Sequence, residues 1–241
     1  MSAPPDRGEV AEAHEHTHSD VAGGGLRAAV FGAMDGLVTN TALVAGVGGG
    51  GVSSHAVVLT GVAGLAAGAI SMALGEYTSV TTQNEQLELE VAKERRELRL
   101  NPVGEQAELA QLWEARGLEP ALAAVVAEQL SRDPEQALRV HALNELGLDI
   151  DDRPSPMTAA VSSFVCFAVG AVLPLLPYLL GAPVLWLALA FGGVGLVAAG
   201  ALSARFTPRP WWSAGLRQLL IGAVAAGATY LIGAAIGVGT S

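Results

Sequence analysis

The chain has 241 residues, of which 51% are apolar and only 15% charged, yet its formal net charge is −10. A soluble globular domain carries roughly 25% charged residues, and an acidic disordered chain is poor in apolar ones, so the average describes two unlike parts. The acidic balance excludes a nucleic-acid-binding face, and the single cysteine, Cys166, excludes an internal disulfide framework or a cysteine-rich zinc site.

Residues 1–25 read as a disordered acidic tail, too polar for the apolar region of a signal peptide. His14, His16 and His18 form a short alternating run in it, which is either a transition-metal tract or part of a solvated tail.

The first charge-free run covers the 40 residues between Asp35 and Glu76. A spanning helix needs about 20 mostly apolar residues, so this region holds two spans, 26–48 and 56–80, broken at Gly48-Gly-Gly-Gly51. Asp35 lies inside the first, with Thr39 four residues on along the same face and Asn40 beside it. A carboxylate at such depth is costly and faces a cavity or a partner; it reads as a pathway ligand or as a helix-end Asp hydrated at the inner interface. In the second span Gly64, Gly68, Met72 and Glu76 recur every four residues and form one stripe. The two glycines permit close helix approach, whether to a neighbouring span or to a second copy. Met72 is a packing residue or a soft ligand, and Glu76 one turn away adds a hard donor.

Residues 81–153 change character. Within 83–153 stand 16 acidic and 8 basic residues. Helices are expected over 85–100, 103–116, 120–131 and 134–146, punctuated by Asn101-Pro102, Gly117, Asp133-Pro134 and Gly147. They present three spaced pairs: Glu94 with Glu97, Glu105 with Glu108, and His141 with Glu145. Each pair projects from one helix face. Carboxylates with an imidazole suit Fe²⁺, Mn²⁺ or Zn²⁺, and facing helices build such sites; the alternative is a set of solvated faces.

A second charge-free run of 51 residues, between Arg153 and Arg205, holds spans 157–180 and 184–204, broken at Gly181-Ala182-Pro183. The last, 24 residues after Arg217, holds a span over 215–237. With the N-terminus inside, all 13 Lys and Arg fall on the cytoplasmic side or at inner helix ends. The expected fold is all-α: a polytopic membrane protein with five transmembrane helices and an acidic cytoplasmic helical domain between helices 2 and 3. Its segments are the tail 1–25, helices 1–2 in 26–80, a metal-binding domain in 81–153 and helices 3–5 in 154–241.

These residues carry a resemblance. Asp35-Gly36-Leu37-Val38, Gly68-Ala-Ile-Ser-Met72 with Gly75-Glu76-Tyr77, Glu94-Arg-Arg-Glu97 and Pro174-Leu-Leu-Pro177 together resemble the vacuolar iron transporter (nodulin-21-like) family in its bacterial form, over residues 26–238. The resemblance implies a transporter, not an enzyme, that moves Fe²⁺ and often Mn²⁺ out of the cytoplasm in exchange for protons. It implies a homodimer in a bacterial plasma membrane, no prosthetic group, and a path formed largely by the first two spans. It puts the pathway at Asp35 and Met72, to which the residues themselves add Asn40 and Glu76, and the cytoplasmic metal ligands at Glu94, Glu97, Glu105 and Glu108, with the last-helix ligand pattern falling on His141, Ala142 and Glu145. Two departures stand out. Many members have a Glu where this chain has Gly64, so Glu76 is the candidate substitute. His141 and Ala142 replace two methionines, which makes the domain site harder and more pH-sensitive and opens it to Zn²⁺ or Mn²⁺. Two other classes remain open: a membrane-anchored metal buffer or sensor that transports nothing, and a ferroxidase-like enzyme.

Overall fold

The computed structural model describes residues 24–147, 149–150 and 153–239. The run His14, His16, His18 lies outside them. Among the described residues there are helices and no strand, and five helices are long and apolar enough to cross a membrane. The spanning elements are α1 (Gly24–Gly49), α2 (Ser54–Leu100), α6 (Pro156–Val172) with its continuation α7 (Leu176–Leu179), α8 (Leu185–Ser203) and α9 (Trp211–Gly239). Between α2 and α6 lie α3 (Pro102–Ala115), α4 (Pro120–Leu130) and α5 (Pro134–His141).

The second span does not stop at the membrane. The expected helices over 56–80 and 85–100 are one helix of 47 residues. Ser53 caps its start by accepting from the Ala56 N–H. From Glu76 to Leu100 there is no Gly or Pro, so nothing breaks the i→i−4 ladder across the polar stretch 78–84. At a rise of about 1.5 Å per residue the helix is about 70 Å long, over twice a hydrocarbon core of about 30 Å. It ends at Asn101, whose side chain then accepts from the Gly104 N–H and opens α3.

The third span changes form where the sequence places Pro174 and Pro177: a 3₁₀ turn, Leu173–Leu175, joins α6 to α7. The expected helix over 134–146 also changes form. Its α-helical part ends at His141, and Ala142–Leu146 wind as a π turn closed by Gly147 at φ 65°.

Helix α1 is the axis of the bundle and packs on α2, α6, α8 and α9. Its approach to α6 is backbone to backbone. A Cβ on Gly32 would lie 2.7 Å from the Ser163 carbonyl oxygen, one on Gly36 would collide with the Phe167 carbonyl, and one on Gly170 with that of Ala33. The Gly64–Glu76 stripe is partly covered within the chain. The notch at Gly64 takes Leu43, that at Gly68 takes the Phe167 ring, and Met72 packs on the cluster of Ala69, Phe167 and Ala171. Gly64, Gly68 and Met72 nonetheless remain only half-buried.

The acidic helices pack on the projecting half of α2. Leu87, Val91 and Leu138 form a buried cluster with Leu98 and Ile150 against it. Arg95–Glu135 at 2.9 Å and Arg153–Glu88 at 2.7 Å cross between segments, but both pairs are exposed and add little beside the apolar contact.

Candidate metal centre

Four of the six expected domain ligands converge. Glu94 comes from the projecting half of α2, Glu105 from the first turn of α3 and His141 from the last turn of α5, all buried. Glu145 follows from the π turn. His141 Nδ1 is the ring atom that faces the carboxylates: 2.8 Å from Glu145 Oε1, 3.2 Å from Glu94 Oε1 and 3.8 Å from Glu105 Oε2. Four donors about 2.1 Å from one tetrahedral ion stand about 3.4 Å apart, so this spacing fits a small divalent cation. Among the described residues Glu94, Glu105 and His141 form the group of ligand atoms that all lie within 4.8 Å of one another.

The local sequence explains the convergence. Asn101 turns the chain from α2 into α3 within one residue, which brings Glu105 back beside Glu94. Leu138, three residues before His141, seats α5 on Leu87 and Val91 and aims the ring at α2.

The electrostatics suit a cation. Glu94 is pushed up from the ordinary carboxylate value to about 7, first by burial and next by the charge of Glu145, while His141 pulls it down. Glu105 is raised by burial and then by Glu108. His141 is fully buried, and neither its Nε2 nor Glu94 Oε1 has a hydrogen-bond partner. Buried polar atoms are normally satisfied, and a cation among Glu94, Glu105 and His141 would satisfy the crowded carboxylate oxygens. Glu97 and Glu108 stay exposed and act on the centre through their charge.

The four expected pathway residues are held by four different partners. Asp35 accepts a hydrogen bond from Thr39 Oγ1 at 3.1 Å, within its own helix. Asn40 is buried; its Nδ2 donates to the Ala171 carbonyl, and its Oδ1 is unpaired and faces Gly64. Met72 lies in the Phe167 cluster. Glu76 is buried and paired with Arg27 Nη2 at 3.0 Å. Arg27 was legible in the sequence only as an inner-end charge; its partner stands 49 residues away. Gln218 of α9, which no sequence pattern singled out, is buried and donates to Met34 Sδ at 2.9 Å.

The family model described as the VIT family matches residues 26–234. The chain belongs to this family, that of the vacuolar iron transporters. Among its VIT relatives it is similar to vacuolar iron transporter 1 of Oryza sativa subsp. japonica, 34% identical over 230 residues, covering 92% of this chain and 91% of that one. It is 38% identical over 224 residues to the vacuolar iron transporter of Acanthamoeba castellanii, covering 90% and 78%. It is 33% identical over 180 residues to vacuolar iron transporter 1 of Arabidopsis thaliana, covering 75% and 72%. The VIT match thus reaches all five spans and includes the whole segment that bears the candidate metal centre.

Proposed function

We propose that this protein is a divalent-metal transporter that moves Fe²⁺, and also Mn²⁺ or Zn²⁺, out of the cytoplasm in exchange for protons. The observation that carries the reading is the buried Glu94–Glu105–His141 centre, whose Glu94 stands on a helix continuous with a membrane span. Metal taken up there needs no second domain to reach the bilayer, since α2 itself leads to Glu76 and Met72. The names of the relatives support transport of iron, and the donor set, carboxylates with one imidazole, suits Fe²⁺, Mn²⁺ and Zn²⁺ alike.

In this reading residues 81–153 and the N-terminus face the cytoplasm, as the distribution of Lys and Arg supports. The acidic domain concentrates cations. Asp35, Asn40, Met72 and Glu76 form the path, and protons entering from the far side displace metal from the carboxylates. The working unit is a homodimer.

A membrane-anchored buffer is the second reading. It is favoured by the engagement of Glu76 with Arg27 and of Asp35 with Thr39, which leaves no assembled donor set within the spans among the described residues. Flux of Fe²⁺ into proteoliposomes across a pH gradient separates the two. Transport expects gradient-dependent flux that Asp35→Ala abolishes. Flux unchanged in Asp35→Ala removes the path assignment, and metal binding without any flux establishes the buffer.

A further inference from the structure

The turn from α8 into α9 reads Ala-Arg-Phe-Thr-Pro-Arg-Pro-Trp-Trp over residues 204–212. Arg205 is the first charged residue after Arg153, so it marks the level at which α8 leaves the apolar layer. The spans alternate in direction, which puts this turn at the same end of the bundle as the projecting half of α2. It takes no part in the metal centre.

A cavity of about 540 Å³ opens at the turn. One wall is Ala198, Ala201 and Leu202 of α8; the other is Arg205, Arg209 and Trp211. Ala198 and Ala201 stand three residues apart on one helix face, and their small side chains leave a trough about one turn long on that wall. Both arginines are exposed, and among the described residues neither has an acidic partner. Trp211 and Trp212 are 64% and 59% exposed, as suits indoles at the headgroup level.

We propose that this cavity binds an anionic phospholipid. The guanidinium groups of Arg205 and Arg209 take the phosphodiester oxygens, for which their planar forks are matched. The trough along Ala198 and Ala201 takes the upper part of an acyl chain, and Trp211 lies against the glycerol region. Charge decides the headgroup: a zwitterionic lipid brings its own cation toward two unpaired arginines, whereas an anionic one compensates them. The apolar wall decides between lipid and free phosphate, because a small anion would satisfy the arginines and leave the trough in water.

Native mass spectrometry of the full-length protein, released from detergent with equimolar phosphatidylglycerol and phosphatidylcholine, tests this. Each arginine near the surface contributes about a factor of five, so the wild type should retain phosphatidylglycerol about tenfold or more over phosphatidylcholine. R205Q/R209Q should lose the preference, whereas Arg132→Gln should keep it. Ala201→Leu, which fills the trough and keeps both arginines, should also lose retained phosphatidylglycerol. Equal retention of the two lipids by the wild type, or an undiminished preference in R205Q/R209Q, overturns the proposal. So does displacement of phosphatidylglycerol by millimolar inorganic phosphate. Melting in phosphatidylcholine nanodiscs checks that R205Q/R209Q is folded; if it is not, Ala201→Leu and the wild-type competition decide.

Discussion

Arg27 Nη2 stands 3.0 Å from Glu76 Oε2 and clasps the first span to the second, with the carboxylate buried and the guanidinium 62% exposed. The two partners are therefore unequal. Arg27→Ala strands an unpaired carboxylate in a dry place, while Glu76→Gln leaves a guanidinium that water solvates. Arg27→Ala should cost about 1–2 kcal/mol, between the values for surface and buried pairs, and Glu76→Gln clearly less. Thermal melting of the two variants in one detergent checks the order.

That ion pair also shows where sequence reading stops. The spans were legible because long charge-free runs have few other uses in a chain of this length, and the domain helices because Pro, Gly and Asn punctuate them. The continuity of α2 was hidden by the polar stretch from Thr78 to Asn84, which resembles a linker in composition but lacks any residue that breaks a helix. Residue types and spacing picked out Glu94, Glu105, His141 and Glu145. They could not separate these from Glu97 and Glu108, since only the relative phase of α2, α3 and the π turn decides which carboxylates turn inward. Arg27 with Glu76, and Met34 with Gln218, are tertiary pairs between distant segments. Their one trace in the sequence is a polar side chain near the end of an apolar helix.

The inward and outward carboxylates should differ in metal binding. Removing a donor that touches the ion, as in Glu94→Gln, Glu105→Gln or His141→Ala, should weaken Mn²⁺ binding by about tenfold or more. Glu97→Gln and Glu108→Gln remove only an exposed charge, and their effect should be about two- to threefold and fade as salt rises. Calorimetric titration of the full-length protein at two ionic strengths separates the groups.

The centre should also lose metal on acidification. Below the value of about 7 at which Glu94 titrates, binding must displace its proton. Affinity should fall by up to about tenfold per pH unit on that side and flatten above it. Metal-free stability runs the other way. A carboxyl whose folded value is raised holds its proton more tightly when folded, so its contribution is present at pH 4.5 and lost as pH rises through about 7. The metal-free protein should melt higher at the acidic end of this window, and Glu94→Gln should flatten the trend.

Two glycines separate close packing from mere composition. A Cβ at Gly36 would meet the Phe167 carbonyl, whereas one at Gly75 meets nothing within 4 Å. Gly36→Ala should push α1 from α6 and cost about 1–3 kcal/mol. Gly75→Ala should stabilise by about 0.5–1 kcal/mol through helix propensity alone. The two melting shifts should be opposite in sign.

His141 should set the order of metals. Its Nδ1 is the single nitrogen donor among carboxylates at the centre, 2.8 Å from Glu145 and 3.2 Å from Glu94. An imidazole favours Zn²⁺ over Mn²⁺, while carboxylates alone suit Mn²⁺ well. His141→Met puts a flexible side chain of similar size in the buried slot and replaces the nitrogen with a weak, soft sulfur. Zn²⁺ affinity should therefore fall about tenfold further than Mn²⁺ affinity, narrowing the gap between them. Competition titrations of the two metals at pH 8, where Glu94 carries its charge without a proton to displace, isolate the ring's contribution. An unchanged Zn²⁺ to Mn²⁺ ratio in His141→Met would show that the imidazole orients Glu145 and does not touch the ion.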